Sequence, residues 1–89
     1  MKLNHPKLET LMQKAYSGEK AAAFAYQGHA GAVRDKTEKK EIKQIEDDEW
    51  GHRAEVLGMM KLYNVPISKY YEFKMHLIGK IISGSCYVV

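Results

Sequence analysis

"IEDDEWGHRAEV", residues 45–56, is the stretch on which the reading of this chain turns. Ile45, Glu49, His52 and Val56 step by four, three and four, the spacing that places side chains on one face of a helix. Two members of that face are apolar and two are ionisable. A carboxylate on an apolar seam needs a partner: buried alone it costs several kcal/mol, or its pKa shifts until it is neutral. Ile42, Met59 and Tyr63 continue the same stripe, so the face belongs to one long amphipathic helix.

Upstream, Leu8, Met12, Ala15, Glu19, Ala22, Tyr26, His29 and Val33 recur at threes and fours and predict an earlier helix with its own inner seam. Asn4 reads as its N-cap, with Leu3 and Leu8 at the spacing of a hydrophobic staple. A break is expected at Arg34-Asp35, where Asp35 and Glu38 have capping-box spacing. Downstream, Asn64 with Val65-Pro66 ends the second helix, since proline cannot continue a helix interior. A third is expected from near Ser68, burying Tyr70, Phe73, Leu77, Ile78 and Ile81, with "SGSCYVV" as a poor, extended or frayed end. The expectation is one all-α domain over residues 1–89, with helices at 4–34, 35–64 and 67–84 and the first two forming an antiparallel hairpin.

The bulk properties fit a small folded unit. The chain has 89 residues, 45% hydrophobic and 28% charged, which is apolar enough to fold. So short a domain buries a modest share of its surface and needs a further staple. Cys86 is the sole cysteine and makes no internal disulfide, which leaves a metal, a partner chain or both. The net charge of +3 is mild and its bases are interleaved with acids, as in "RDKTEKKEIKQIEDDE", so no nucleic-acid partner is expected. Met1 to Pro6 has no apolar leader core and the cysteine is free, so the expected setting is the cytoplasm. No apolar run has the length of a membrane span, but the stretch from Phe73 to Val89 is apolar enough to lie on a membrane surface or a partner.

Geometry links the two seams. Glu19 lies fifteen residues before Arg34 and Glu49 fifteen after it, so a hairpin turning there sets both at one level. His52 is less than a turn further on the same face. Two carboxylates and an imidazole converging between helices offer oxygen and nitrogen donors, which suit iron or manganese and can hold zinc. Carboxylate-bridged di-metal bundles take a Glu from each of two helices and Glu-x-x-His from two others. This sequence holds half of that set, because Glu72 and His76 are four apart, not three. Either the chain is half of a longer ancestral bundle, or two copies meet about a two-fold axis and complete the site.

"GEKAAAFAYQGH", residues 18–29, followed by "IEDDEWGH", residues 45–52, resembles the ferritin-like superfamily. Within it, the chain is most similar to the first half of the demethoxyubiquinone hydroxylase family, over roughly residues 8–63, with a weaker echo in "GKIISG". The resemblance implies a non-haem di-iron centre reacting with dioxygen or peroxide, with Glu19, Glu49 and His52 as ligands and Tyr26 as a nearby redox or hydrogen-bonding residue. A likeness to the two-helix encapsulated ferritins implies an iron site built across a homodimer, two irons to each completed four-helix bundle.

Other residues have plainer readings. Glu46, Asp47 and Asp48 are expected on the outer face of the second helix, and Met12, Met59 and Met60 in the core. Trp50 points off the ligand face and is expected to pack in a dimer, His29 to lie in a core or interface, and His5 and His76 on the surface. Gly18, Gly28, Gly31, Gly51 and Gly58 are expected where helices approach closely, and Cys86 has no base beside it to activate a thiol. Two functions follow. One is a ferritin-like di-iron oxidoreductase, assembled as a homodimer or higher even oligomer, in which Glu19 is a terminal ligand, Glu49 a bridging one and His52 the nitrogen ligand. The other is a non-catalytic oligomeric module in which a metal such as zinc is a structural staple.

Overall fold

The computed structural model describes residues 5–87, and within them the chain is all-helical. α1 spans Pro6–Ala32, α2 Lys36–Leu62 and α3 Lys69–Ser85. α1 begins with proline in its first turn, where the missing N–H is not needed, and His5 is its cap: Nδ1 accepts from Leu8 N at 3.1 Å. The cap expected at Asn4, and its staple with Leu3, lie outside the described residues. Asp35 caps α2 by accepting from Glu38 N at 2.9 Å. α2 is capped at its C-terminus by Tyr63, and Asn64 follows with a φ of 57°, the left-handed conformation that asparagine tolerates, two residues before Pro66. Ser68 caps α3 by accepting from Tyr71 N, and this helix runs through Gly84 to Ser85 where a frayed end was expected.

α1 is the spine, packed by α2 on one side and α3 on another, while the α2 and α3 backbones do not pack on each other. The core on the α2 side is Met12, Tyr16, Ala23, Ala30, Ile42 and Met60, closed at one end by Val65. On the α3 side the helices come close enough to need glycine. A Cβ on Gly79 would lie 2.9 Å from Ala21 Cα and the Phe24 ring, and one on Gly28 would collide with the Ser83 backbone. Gly18, Gly51 and Gly58 serve no such approach: a Cβ there meets open space.

The third helix is turned opposite to expectation. Its apolar stripe, Tyr70, Phe73, Leu77 and Ile81, faces outward, and only Ile78 of the expected set is half-buried. What α3 turns toward α1 instead is Gly79 and Glu72. The Glu72 carboxylate accepts from Ser17 Oγ at 2.6 Å, from Arg53 Nη2 at 2.6 Å and Nη1 at 3.0 Å, and from Lys20 Nζ at 3.4 Å. Arg53 also donates to Tyr16 O at 3.0 Å and stacks 3.8 Å from the Tyr16 ring. One carboxylate thus ties all three helices together. The close glycine approach and this clasp win over the burial of a greasier stripe.

Burial alone would push the Glu72 carboxyl up, but the hydrogen bonds from Arg53 and Ser17 and the charges of Arg53 and Lys20 override it and hold it at about 2, against an ordinary 4.5. A depressed acid stabilises the fold above its unfolded pKa, and that contribution is lost as pH falls from 4.5 toward 2. Glu72→Ala leaves the Arg53 guanidinium half-buried without its carboxylate and is expected to cost about 2–3 kcal/mol in urea unfolding at neutral pH. The same substitution should abolish most of the acid-induced loss between those pH values; a variant as stable and as acid-sensitive as the wild type would contradict the clasp.

Candidate metal centre

Glu19, Glu49 and His52 meet between α1 and α2. Their donor atoms all lie within 4.8 Å of one another, the one such cluster of three among the described residues. His52 Nδ1 is 3.9 Å from Glu19 Oε2 and 4.0 Å from Glu49 Oε1. Metal–ligand bonds of about 2.0–2.2 Å place two ligands about 3–4 Å apart, so His52 stands at a suitable distance from each carboxylate for a common cation. Glu19 Oε2 is buried and has no hydrogen-bond donor, the condition of a lone pair waiting for a cation.

The electrostatics agree with that reading. Two carboxylates face each other here, and the leading influence on Glu19 is the hydrogen bond that its protonated form makes with Glu49. Burial and the Glu49 charge add to it, and His52 offsets only part, so the Glu19 carboxyl rises from 4.5 to about 7. Without a cation, a proton does that work.

The cluster does not lie on the buried side of the hairpin. Successive helix residues are about 100° apart, so Ala15, Glu19, Ala22, Tyr26 and His29 form a face of α1 turned away from Ser17, Lys20, Phe24 and Gly28, which meet α3. On α2 the same face carries Ile45, Glu49, His52, Val56 and Met59. These belong to the seams expected to be internal: the chain buries Met12 and Ile42 of them and half-buries Glu19, Glu49, Val56 and Tyr63, but leaves Leu8, Ala15, His29, Ile45, Met59 and His52 exposed, the His52 side chain by 56%. The buried stripe of α2 sits about one position over, at Ile42, Glu46 and Met60, with Arg53 largely covered.

Several single-residue expectations change with that rotation. Glu46, expected outside, is 2% exposed; it accepts from Trp50 Nε1 and from Lys43 Nζ, each at 2.9 Å. Trp50, expected at a dimer contact, packs within the chain, edge-on to Phe24 at 5.5 Å. Met59 is half-exposed rather than core, while Met12 and Met60 are buried. Tyr26 is half-buried on the same face as Glu19 but outside the three-residue cluster. His5 and His76 are exposed as expected, though His5 caps α1 and His76 stands edge-on to Phe24 at 5.1 Å. Arg53 and Glu72 escape a reading based on apolar spacing. The available signal was that Glu72 is the only acid of α3, so a partner had to be found for it.

No family model matches this chain, and no curated protein and no solved structure matches it.

In the metal-free protein the Glu19 proton favours the fold below 4.5, and this contribution is lost as pH rises through about 7. A divalent metal must displace that proton. Its affinity is therefore expected to fall by up to tenfold for each pH unit below 7, with about one proton released per Glu19 at pH 6 and little above pH 8. Calorimetric titration with zinc or manganese in buffers of different ionisation heat measures that release. Binding without proton release at the lower pH would contradict the shared cluster.

Proposed function

We propose that the chain is a di-metal carboxylate protein whose centre is completed by a second copy of itself, with iron as the working metal and dioxygen-dependent oxidation as the reaction class. The observation that carries this reading is the buried, donorless Glu19 Oε2 within reach of His52 and Glu49, on a face where Ala15, Ile45 and Met59 are exposed. Around a two-fold axis through that face each chain gives one Glu and one Glu-x-x-His, the donor set of a carboxylate-bridged pair of ions. Glu19 and His52 would serve as terminal ligands and Glu49 as the bridging carboxylate.

The size of the face supports the pairing. Helices of 27 residues are about 40 Å long, and two side by side present a strip about 20 Å wide. That is about 800 Å² per chain, the area of a standard specific interface. Pairing would cover Ala15, Ala22, Ile45, Val56 and Met59 and take His52 out of water, which strengthens its hold on a cation.

Iron bound there would supply oxidation by dioxygen or peroxide, either of ferrous iron itself or of a small organic substrate. The protein's own contribution is positional: Glu19 and Glu49 neutralise the cations, and His52 is held on the open side of the carboxylates. Tyr26, half-buried on this face roughly two turns from Glu19, is placed to pack at the rim of the centre.

Anaerobic loading with ferrous iron, followed by dioxygen, tests the reading. About two irons for each pair of chains, and an absorbance change that requires dioxygen, are expected. Glu49→Ala and His52→Ala should each weaken metal retention at least tenfold and lower the solution mass toward that of a single chain. A metal-free protein, or variants that keep both metal and mass, would contradict it. Tight binding of zinc with no iron chemistry would favour the structural-staple reading instead.

A further inference from the structure

α3 presents a second unpartnered surface, and its chemistry differs from that of the metal face. The residues it turns toward α1 include Glu72, Gly79 and Ser83. On the opposite side of its wheel stand Tyr70, Phe73, Leu77 and Ile81, each between 51% and 72% exposed. These recur at three, four and four, so they form one continuous stripe along about 17 Å of helix. Lys74 borders it on one edge, its ammonium 5.8 Å from the Tyr70 ring, and Lys69 lies toward the other, where Lys80 turns its ammonium back over the Phe24 ring of α1 at 4.1 Å. The only acid of the helix, Glu72, is turned inward and bound by Arg53, Ser17 and Lys20. The outward half of α3 is therefore apolar and aromatic at its centre, basic at its edges and free of negative charge.

We propose that α3 docks flat on an anionic lipid surface, with Tyr70, Phe73, Leu77 and Ile81 seated at the headgroup–acyl boundary and Lys69 and Lys74 among the phosphates. A basic amphipathic helix with aromatic residues on its apolar face has the composition of an interfacial segment. The lysine stems reach along the apolar surface while their ammonium groups stay at headgroup level. No helix among the described residues is long and apolar enough to cross a membrane, so α3 lies in the plane of the surface.

Charge complementarity selects lipid over a second copy. Pairing two α3 stripes about a two-fold axis would bring lysines of one copy against lysines of the other, with no acid on either face to offset them. A bilayer rich in anionic headgroups supplies the missing charge. The α3 stripe also points away from α1, whereas the Glu19, Glu49 and His52 face lies elsewhere on the hairpin, so this inference stands independently of the metal reading.

Co-sedimentation with vesicles of phosphatidylcholine alone, and of phosphatidylcholine mixed with phosphatidylserine, tests it on the full chain. The wild type should bind the mixed vesicles more tightly, and salt should weaken that preference. Phe73→Ser combined with Leu77→Ser alters two exposed side chains and should cut vesicle binding at least tenfold, with helicity by circular dichroism unchanged. Lys69→Gln and Lys74→Gln should each weaken binding to the mixed vesicles about fivefold and leave binding to neutral ones alone. No sedimentation with either vesicle, equal affinity for both, or a doubly substituted variant that binds normally would overturn the proposal. So would a fall in the solution mass of that variant without a change in vesicle binding, which would make this face an interface between copies.

Discussion

Every helix–helix packing contact described in this chain runs through α1, and a single helix has room for about three faces. One of them, Met12, Tyr16, Ala23 and Ala30, is closed by α2. A second, Ser17, Lys20, Ala21, Phe24 and Gly28, is closed by α3. The third, Ala15, Glu19, Ala22 and Tyr26, is covered only in part, with Glu49 and His52 of α2 reaching it at Glu19. Much of the remaining structure follows. Because α2 and α3 do not pack on each other, their link is the Arg53–Glu72 pair, and a half-buried pair of that kind holds only while both partners are charged. Because the third face of α1 is only partly covered, Glu19 Oε2 is buried beside Glu49 and His52 with no hydrogen-bond donor of its own.

The open face and the facing carboxylates are one problem with one solution. Glu19 and Glu49 repel when both are ionised, and the imidazole of His52 offsets only part of that repulsion. A proton relieves the conflict in the isolated chain; a divalent cation relieves it more completely and leaves ligand positions to fill. In the proposed centre a second copy of the same face would fill them and would remove the exposed apolar side chains from water in the same step. Metal binding and pairing therefore draw on the same residues, and each is expected to strengthen the other.

The sequence makes the hairpin and the cluster legible because both depend on spacing alone. Fifteen residues on either side of the turn set Glu19 level with Glu49, and a three-residue step adds His52 to the same face, whatever packs around them. Asp35 and Asn64-Val65-Pro66 likewise mark the ends of α2 by local backbone chemistry. Tertiary choices are less legible. On α2 periodicity selects Ile42, Ile45, Glu49, His52, Val56 and Met59; Ile42 is buried as expected, but Ile45, His52 and Met59 stand outward beside a second stripe of Glu46, Arg53 and Met60. The chain turns that second stripe inward, because Glu46 finds Trp50 and Lys43 and Arg53 finds Glu72. α3 was misread for the same reason. Hydrophobicity selects Tyr70, Phe73, Leu77 and Ile81 as the inner side, but it takes no account of the close approach that Gly28 and Gly79 permit. In each case a long-range polar pair or a glycine contact outweighed the local pattern. The apolar stripes left outside are those to which the two proposals assign partners.

X-ray absorption at the iron edge of the ferrous-loaded protein tests the central claim most directly, because it reports on the neighbours of the metal. The account predicts an inner shell of oxygen and nitrogen with no sulfur, and an outer iron–iron distance of about 3–4 Å. A fully loaded protein whose iron has no second iron within that range would contradict a centre shared between two chains.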